Sequence, residues 1–154
     1  MPTSNHPSDA MPETYPMPSF VTLLVRDLAA SVRWYRNVLG FEIVFSFTEA
    51  GPFPQMAHLR WTKYADLLLR PGTTEGEAGC GVSISFQTPL ENVDALAERA
   101  AQSGARILTE PGNRPWNTRE FSVADLDGYQ LSFTGGPVNP HMSFEGITGS
   151  SGPT

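Results

Sequence analysis

The chain states one arrangement twice. Val21 and Val82, Val32 and Val93, and Tyr35 and Leu96 stand 61 residues apart; beyond the helical stretches the spacing becomes 64, joining Gly40 with Gly104, Ile43 with Ile107 and Leu67 with Leu131. One small insertion in the helical region accounts for the change. A period of this size marks a repeated supersecondary unit that buries its apolar face by packing against a neighbour.

The content of the unit follows from periodicity. "FVTLLVRDL" alternates as a strand, with Val21, Leu23 and Val25 on one face and Phe20, Thr22 and Leu24 on the other. "DLAASVRWYRNVLGF" then carries Leu28, Val32, Tyr35 and Leu39 at helical spacing, with Asp27 to cap the start and Gly40 to supply a left-handed stop. "FEIVFSF", "QMAHLRW" and "ADLLLRP" read as three strands. The second half repeats the order: "GVSISFQT", a helix in "PLENVDALAERAAQSG", then "ARILT", "REFSVAD" and "YQLSFT". The predicted class is α+β, two tandem βαβββ modules. Each helix covers one face of its sheet and leaves the other free, so two curved mixed sheets placed together enclose a cavity.

At 154 residues the chain suits one domain, assigned to residues 19–136, with module one at 19–72 and module two at 80–136. Residues 1–18 and 137–154 are rich in Pro, Gly and Ser and are expected as flexible or surface-draped tails. The net charge of −6, a pI near 4.9 and the lack of any Lys/Arg run argue against nucleic acid as a partner. Cys80 is the only cysteine, which excludes an intramolecular disulfide and a cysteine-rich metal site. No signal peptide and no membrane-spanning apolar run is visible, so a cytoplasmic location away from the membrane is the expectation.

"VRDLAASVRWYRNVLGFEIV" resembles the module-opening signature of the glyoxalase/bleomycin-resistance/extradiol-dioxygenase superfamily, the vicinal oxygen chelate fold. "REFSVADLDGYQLSF" resembles its closing signature, with Leu126 where an Asp-Pro-Asp-Gly turn has proline. The resemblance implies a homodimer and a small-molecule site. In the metal-dependent members each module gives a His or Gln from its first strand and a Glu from its last. Register places those four positions at Phe20, Leu68, Gly81 and Ser132, which offer one weak hydroxyl between them. Neither a metal nor another cofactor is therefore expected. His58 lies on a predicted strand, while His6 and His141 lie in the tails.

Alternation assigns Val21, Leu23, Val25, Leu67, Leu69, Val82, Ile84, Phe86, Phe121, Val123, Leu131 and Phe133 to the helix-covered faces. The opposite parity brings Phe20, His58, Arg60, Asp66 and Ser132 to the open faces, an apolar wall with a few orienting polar groups. Phe45, Phe47 and Phe53 lie beside it, as core, dimer contacts or ligand contacts. "RPWNTREF" resembles the PWG segment of bleomycin-resistance-type proteins, whose Trp stacks on a flat heteroaromatic ligand; here the match is Trp116, with Asn117-Thr118 in place of glycine. Packing of Trp116 against a helix, the other module or a partner is the competing reading.

The expected function is metal-free binding of a small organic molecule, cationic or heteroaromatic, through Trp116, Phe47, Phe53, Phe20, His58, Arg60, Asp66 and Ser132, with no catalytic residue assigned. Two alternatives stand beside it. One is a lyase, isomerase or dioxygenase-like enzyme of the same superfamily, with His58 the obvious general base in a metal-free version. The other is a dimeric accessory module without a ligand.

Overall fold

The structure, a computed structural model, describes residues 12–142; the outer parts of both tails, His6 among them, lie outside the described residues. Strand β1 (Val21–Val25) turns Leu23 and Val25 inward, where both are buried. Helix α1 (Leu28–Trp34) starts where the Asp27 carboxylate accepts a hydrogen bond from the Ala30 N–H. It continues as one widened π turn over Tyr35–Leu39, which brings Tyr35, Val38 and Leu39 all inward. Gly40, at φ 85°, ends it in the left-handed region open to glycine. The chain then forms β2 (Glu42–Phe47), β3 (Met56–Thr62) and β4 (Ala65–Pro71).

The sheet order is β1-β4-β3-β2, with β1 parallel to β4 and the other pairs antiparallel. The helix thus carries the chain from one sheet edge to the other, and a meander brings it back beside β1. The second module repeats this: β5 (Ser83–Gln87), a short 3-10 turn (Leu90–Asn92), α2 (Val93–Gln102), β6 (Arg106–Asn113), β7 (Arg119–Ala124) and β8 (Gln130–Gly135), in the order β5-β8-β7-β6. The fold is the α+β pair of tandem modules that the repeat predicts. Even backbone exceptions recur: Tyr64 at φ 68° occupies the place in module one that Gly128 at φ 99° takes in module two.

One apolar core joins the modules on their helix sides. Phe41 meets Phe86 edge-on at 5.3 Å, and Trp61 meets Phe133 at 5.0 Å. Polar locks surround it. The buried Tyr35 hydroxyl donates to Asp125 Oδ2 at 2.6 Å, while Asp125 Oδ1 accepts from the N–H groups of Asp127 and Tyr129. Burial lifts the Tyr35 hydroxyl well above its ordinary pKa, and the Asp125 charge adds to this. Burial likewise raises the Asp125 carboxyl, against the pull of its three donors. Arg26 grips Asp127 at 3.1 Å and the Tyr129 hydroxyl donates to the Leu24 carbonyl. The Asp125-Leu126-Asp127-Gly128 turn is thus the clasp between modules.

Alternation places most inward residues correctly, with three corrections. Val21 is 38% exposed and Val82 60%, because each stands at its strand's entrance. Ile84 is only half-buried. No helix among the described residues is long and apolar enough to cross a membrane.

Candidate functional site

The open face of the first sheet holds a buried polar group. Across the β3–β4 ladder Arg60 stands opposite Asp66 and His58 opposite Leu68. Arg60 Nε donates to Asp66 Oδ1 at 2.8 Å, and both residues are buried. Burial by itself lowers the Arg60 pKa, but the hydrogen bond and charge of Asp66 outweigh it and hold the guanidinium above its ordinary value. His58 Nε2 lies 3.7 Å from Asp66 Oδ2, is buried, and has no hydrogen-bond partner.

An aromatic tier continues from this group towards the β2 edge. The His58 ring meets Phe45 edge-on at 5.4 Å, Phe45 meets Phe47 at 5.5 Å, and Phe47 stacks on Phe53 at 5.2 Å and 26°. Phe47 and Phe53 also line a cavity of about 270 Å³ formed by residues 46–53. Gln55 holds this loop by donating to the Thr48 carbonyl at 2.7 Å. Of the sequence-predicted residues, Phe47, Phe53, His58, Arg60 and Asp66 therefore form one contiguous cluster, linked through Phe45.

Trp116 and Ser132 belong to the second module's open face. Trp116 is 53% exposed, and its indole N–H donates to Glu120 Oε1 at 2.8 Å. The same oxygen accepts from the hydroxyls of Thr118 and Thr134. Partial burial pushes the Glu120 carboxyl up, but these hydrogen bonds and Arg114 at 3.8 Å outweigh it and leave it below the usual value. Arg119 points elsewhere, to Asp94 on α2 at 2.8 Å, in an exposed pair that solvent screens. Ser132 Oγ lies 3.3 Å from Ser83 Oγ across the β5–β8 pair. Phe20 sits exposed just before β1.

The loop around Trp116 explains how glycine can be dispensed with. Asn117 takes φ 70°, a conformation that asparagine tolerates better than most residues. Its side chain accepts from the Asn139 N–H at 2.8 Å and donates to the Asn139 carbonyl at 2.9 Å. The inserted pair therefore ties the loop to the segment after β8.

Sequence reasoning passed over Glu13, Tyr15 and Tyr64. The Tyr15 hydroxyl donates to Asp66 Oδ2 at 2.8 Å and accepts from the Tyr64 N–H at 2.7 Å, and Glu13 meets Lys63 at 2.9 Å. The signal available was a single aromatic inside the proline-rich tail "PETYPMP". This part of residues 1–18 is draped over the sheet.

The family model described as "Glyoxalase/Bleomycin resistance protein/Dioxygenase superfamily" matches residues 18–133, which takes in both modules. The chain belongs to this superfamily. Solved structures of similar shape include TioX from Micromonospora sp. ML1, 25% identical over 75% of this chain and 95% of TioX, with a TM-score of 0.57. A mutant of the genomically encoded fosfomycin resistance protein FosX from Listeria monocytogenes, complexed with Mn(II) and 1S,2S-dihydroxypropylphosphonic acid, is 19% identical over 83% of this chain and 93% of FosX, with a TM-score of 0.65. FosX from Mesorhizobium loti is 22% identical over 77% of this chain and 90% of its own, with a TM-score of 0.58. No protein of curated function matches this chain in sequence.

The superfamily's metal positions can be tested on this chain's side chains. Phe20, Leu68, Gly81 and Ser132 provide no carboxylate, imidazole or thiolate, so this donor set does not fit a divalent ion. Among the described residues no three His, Cys, Asp or Glu side chains converge elsewhere.

Proposed function

We propose that this protein binds a small organic molecule without a metal, in the manner of the bleomycin-resistance-type members of its superfamily, and acts by sequestering it in the cytoplasm. The observation that carries this reading is the continuity of the Phe45–Phe47–Phe53 tier with the buried His58, Arg60 and Asp66. Apolar walls with a few fixed polar groups suit an organic ligand. The unsuitable donors at the four metal positions support holding over metal-assisted chemistry. Trp116 would add a stacking ring from the second module, with Ser132 and Phe20 beside it. In a homodimer these would face the first module of a partner. The net charge of −6 favours a cationic or weakly basic ligand.

Titration with planar heteroaromatic and glycopeptide antibiotics, followed by tryptophan fluorescence, tests the reading. At least one should bind stoichiometrically, and Trp116→Ala should weaken it about tenfold, as expected for loss of one stacking aromatic. No binding across the panel, or stoichiometric Zn, Fe, Mn or Ni in the untagged protein, would overturn it.

A second reading, a metal-free enzyme, is favoured by one observation: the unpartnered His58 Nε2 beside Asp66. Chemical conversion of a bound ligand, lost in His58→Gln, would establish it.

A further inference from the structure

The polar end of the first sheet's open face already has an occupant, this chain's own Tyr15. Its ring lies against the Arg60 guanidinium, 4.3 Å from ring centroid to Cζ, and meets the Tyr64 ring edge-on at 4.8 Å. Its hydroxyl is used in both directions, donating to Asp66 Oδ2 and accepting from the Tyr64 N–H. A phenol could hardly be better matched: one face on a cation, one acceptor, one donor.

Three features separate this recess from ordinary packing. It is complete without the tail, because Arg60 and Asp66 are cross-strand partners that make their own ion pair. Apart from Tyr15 the tail is lightly held: residues 12–17 have no helix or strand, and Glu13 contributes one backbone acceptor to Arg60 and an exposed pair with Lys63. The buried His58 Nε2, close to the same Asp66 carboxylate, is left without a partner by Tyr15. Buried polar atoms are ordinarily satisfied, so the tail does not exhaust what the recess can bind.

We propose that the Arg60–Asp66–Tyr64 recess is a phenol site, that Tyr15 is its tethered occupant, and that the ligand carries a hydroxylated aromatic ring that displaces Tyr15. This rests on the ligand-holding reading above and supplies its ligand class. Displacement makes the tail a selectivity filter. A tethered phenol competes at an effective concentration of roughly millimolar, so a ligand that cannot replace its bonds to Asp66 and Tyr64 does not displace it.

The test uses the full chain, p-cresol as probe and the Tyr64 backbone amide resonance as readout. In Tyr15→Ala, p-cresol should shift that amide and bind about tenfold more tightly than to the unaltered chain. Toluene should leave the amide unmoved. Tyr15→Phe, which keeps the ring and is the milder change, should also bind p-cresol more tightly than the unaltered chain. Equal p-cresol affinity in all three proteins overturns the proposal, as does an unresponsive Tyr64 amide in a folded Tyr15→Ala. The readout uses neither Trp116 nor the antibiotic panel. Panel binding without a p-cresol response removes the phenol site alone, while a p-cresol response with an unbound panel supports the phenol site and removes the antibiotic reading.

Discussion

At Glu120, partial burial and hydrogen bonding pull in opposite directions. Burial favours the neutral acid, while the Trp116 indole, the Thr118 and Thr134 hydroxyls and Arg114 favour the carboxylate, and the second group wins. The folded pKa is therefore depressed. Its stabilising contribution is fully present above the ordinary glutamate value of 4.5 and is lost as pH falls through the lower folded value. Trp116 should report this directly. Its indole N–H resonance is expected to stay constant from neutral pH down to about 4.5 and to move only below it. In Glu120→Gln it should not titrate. A Trp116 resonance already moving near pH 6 would contradict the hydrogen-bond assignment. The Thr118 and Thr134 hydroxyls hold the Glu120 oxygen that accepts from the Trp116 indole, so one carboxylate sets the orientation of the ring proposed to stack on ligand.

At the scale of elements, the second module depends on a close approach at the end of β8. A Cβ on Gly135 would stand 2.7 Å from Leu90 Cα, 2.9 Å from the Thr88 carbonyl oxygen and 2.9 Å from Val93 Cγ2. Two of these neighbours are backbone and cannot swing away, so the turn entering α2 would be pushed off the sheet. Gly135→Ala is expected to lower stability by about 1–3 kcal/mol in urea unfolding. Gly51→Ala, which meets nothing within 4 Å, should change it by less than about 0.5 kcal/mol. This contact could not be read from the sequence, because it joins Gly135 to a segment 45 residues earlier. The elements themselves could be, since alternation in β1 and β4 and the Leu28–Val32–Tyr35–Leu39 spacing report local periods. Parity also selected the side of the sheet on which His58, Arg60 and Asp66 meet. It failed at Val21 and Val82, which stand at the entrances of β1 and β5. It was silent on Tyr15, since an irregular tail has no period to place a ring by. Pairings such as Tyr35–Asp125, 90 residues apart, were equally out of reach.

For the whole molecule, the distribution of apolar surface argues for a partner. The helix sides of both sheets are satisfied within one core. The other sides and their rims keep Phe20, Leu24, Phe47, Phe53 and Trp116 at 38–61% exposure. Single exposed apolar residues are normal on soluble proteins, but these follow the sheet faces that the helices leave uncovered. Superfamily members are often dimers, and a two-fold partner would bring the open face of one module against that of the other. Light scattering is expected to give about twice the chain mass of 16.8 kDa at micromolar concentrations. Leu24→Glu, on the open face of β1 and outside the core, should shift the mass towards a single chain while leaving the far-ultraviolet circular dichroism unchanged. A mass of 16.8 kDa at every concentration would refute the dimer. If the partner completes the ligand site, association and binding must be linked, each strengthening the other. A ligand of the aromatic tier should then raise the dimer fraction of Leu24→Glu, and one that binds the dissociated chain equally well would place the whole site within a single copy.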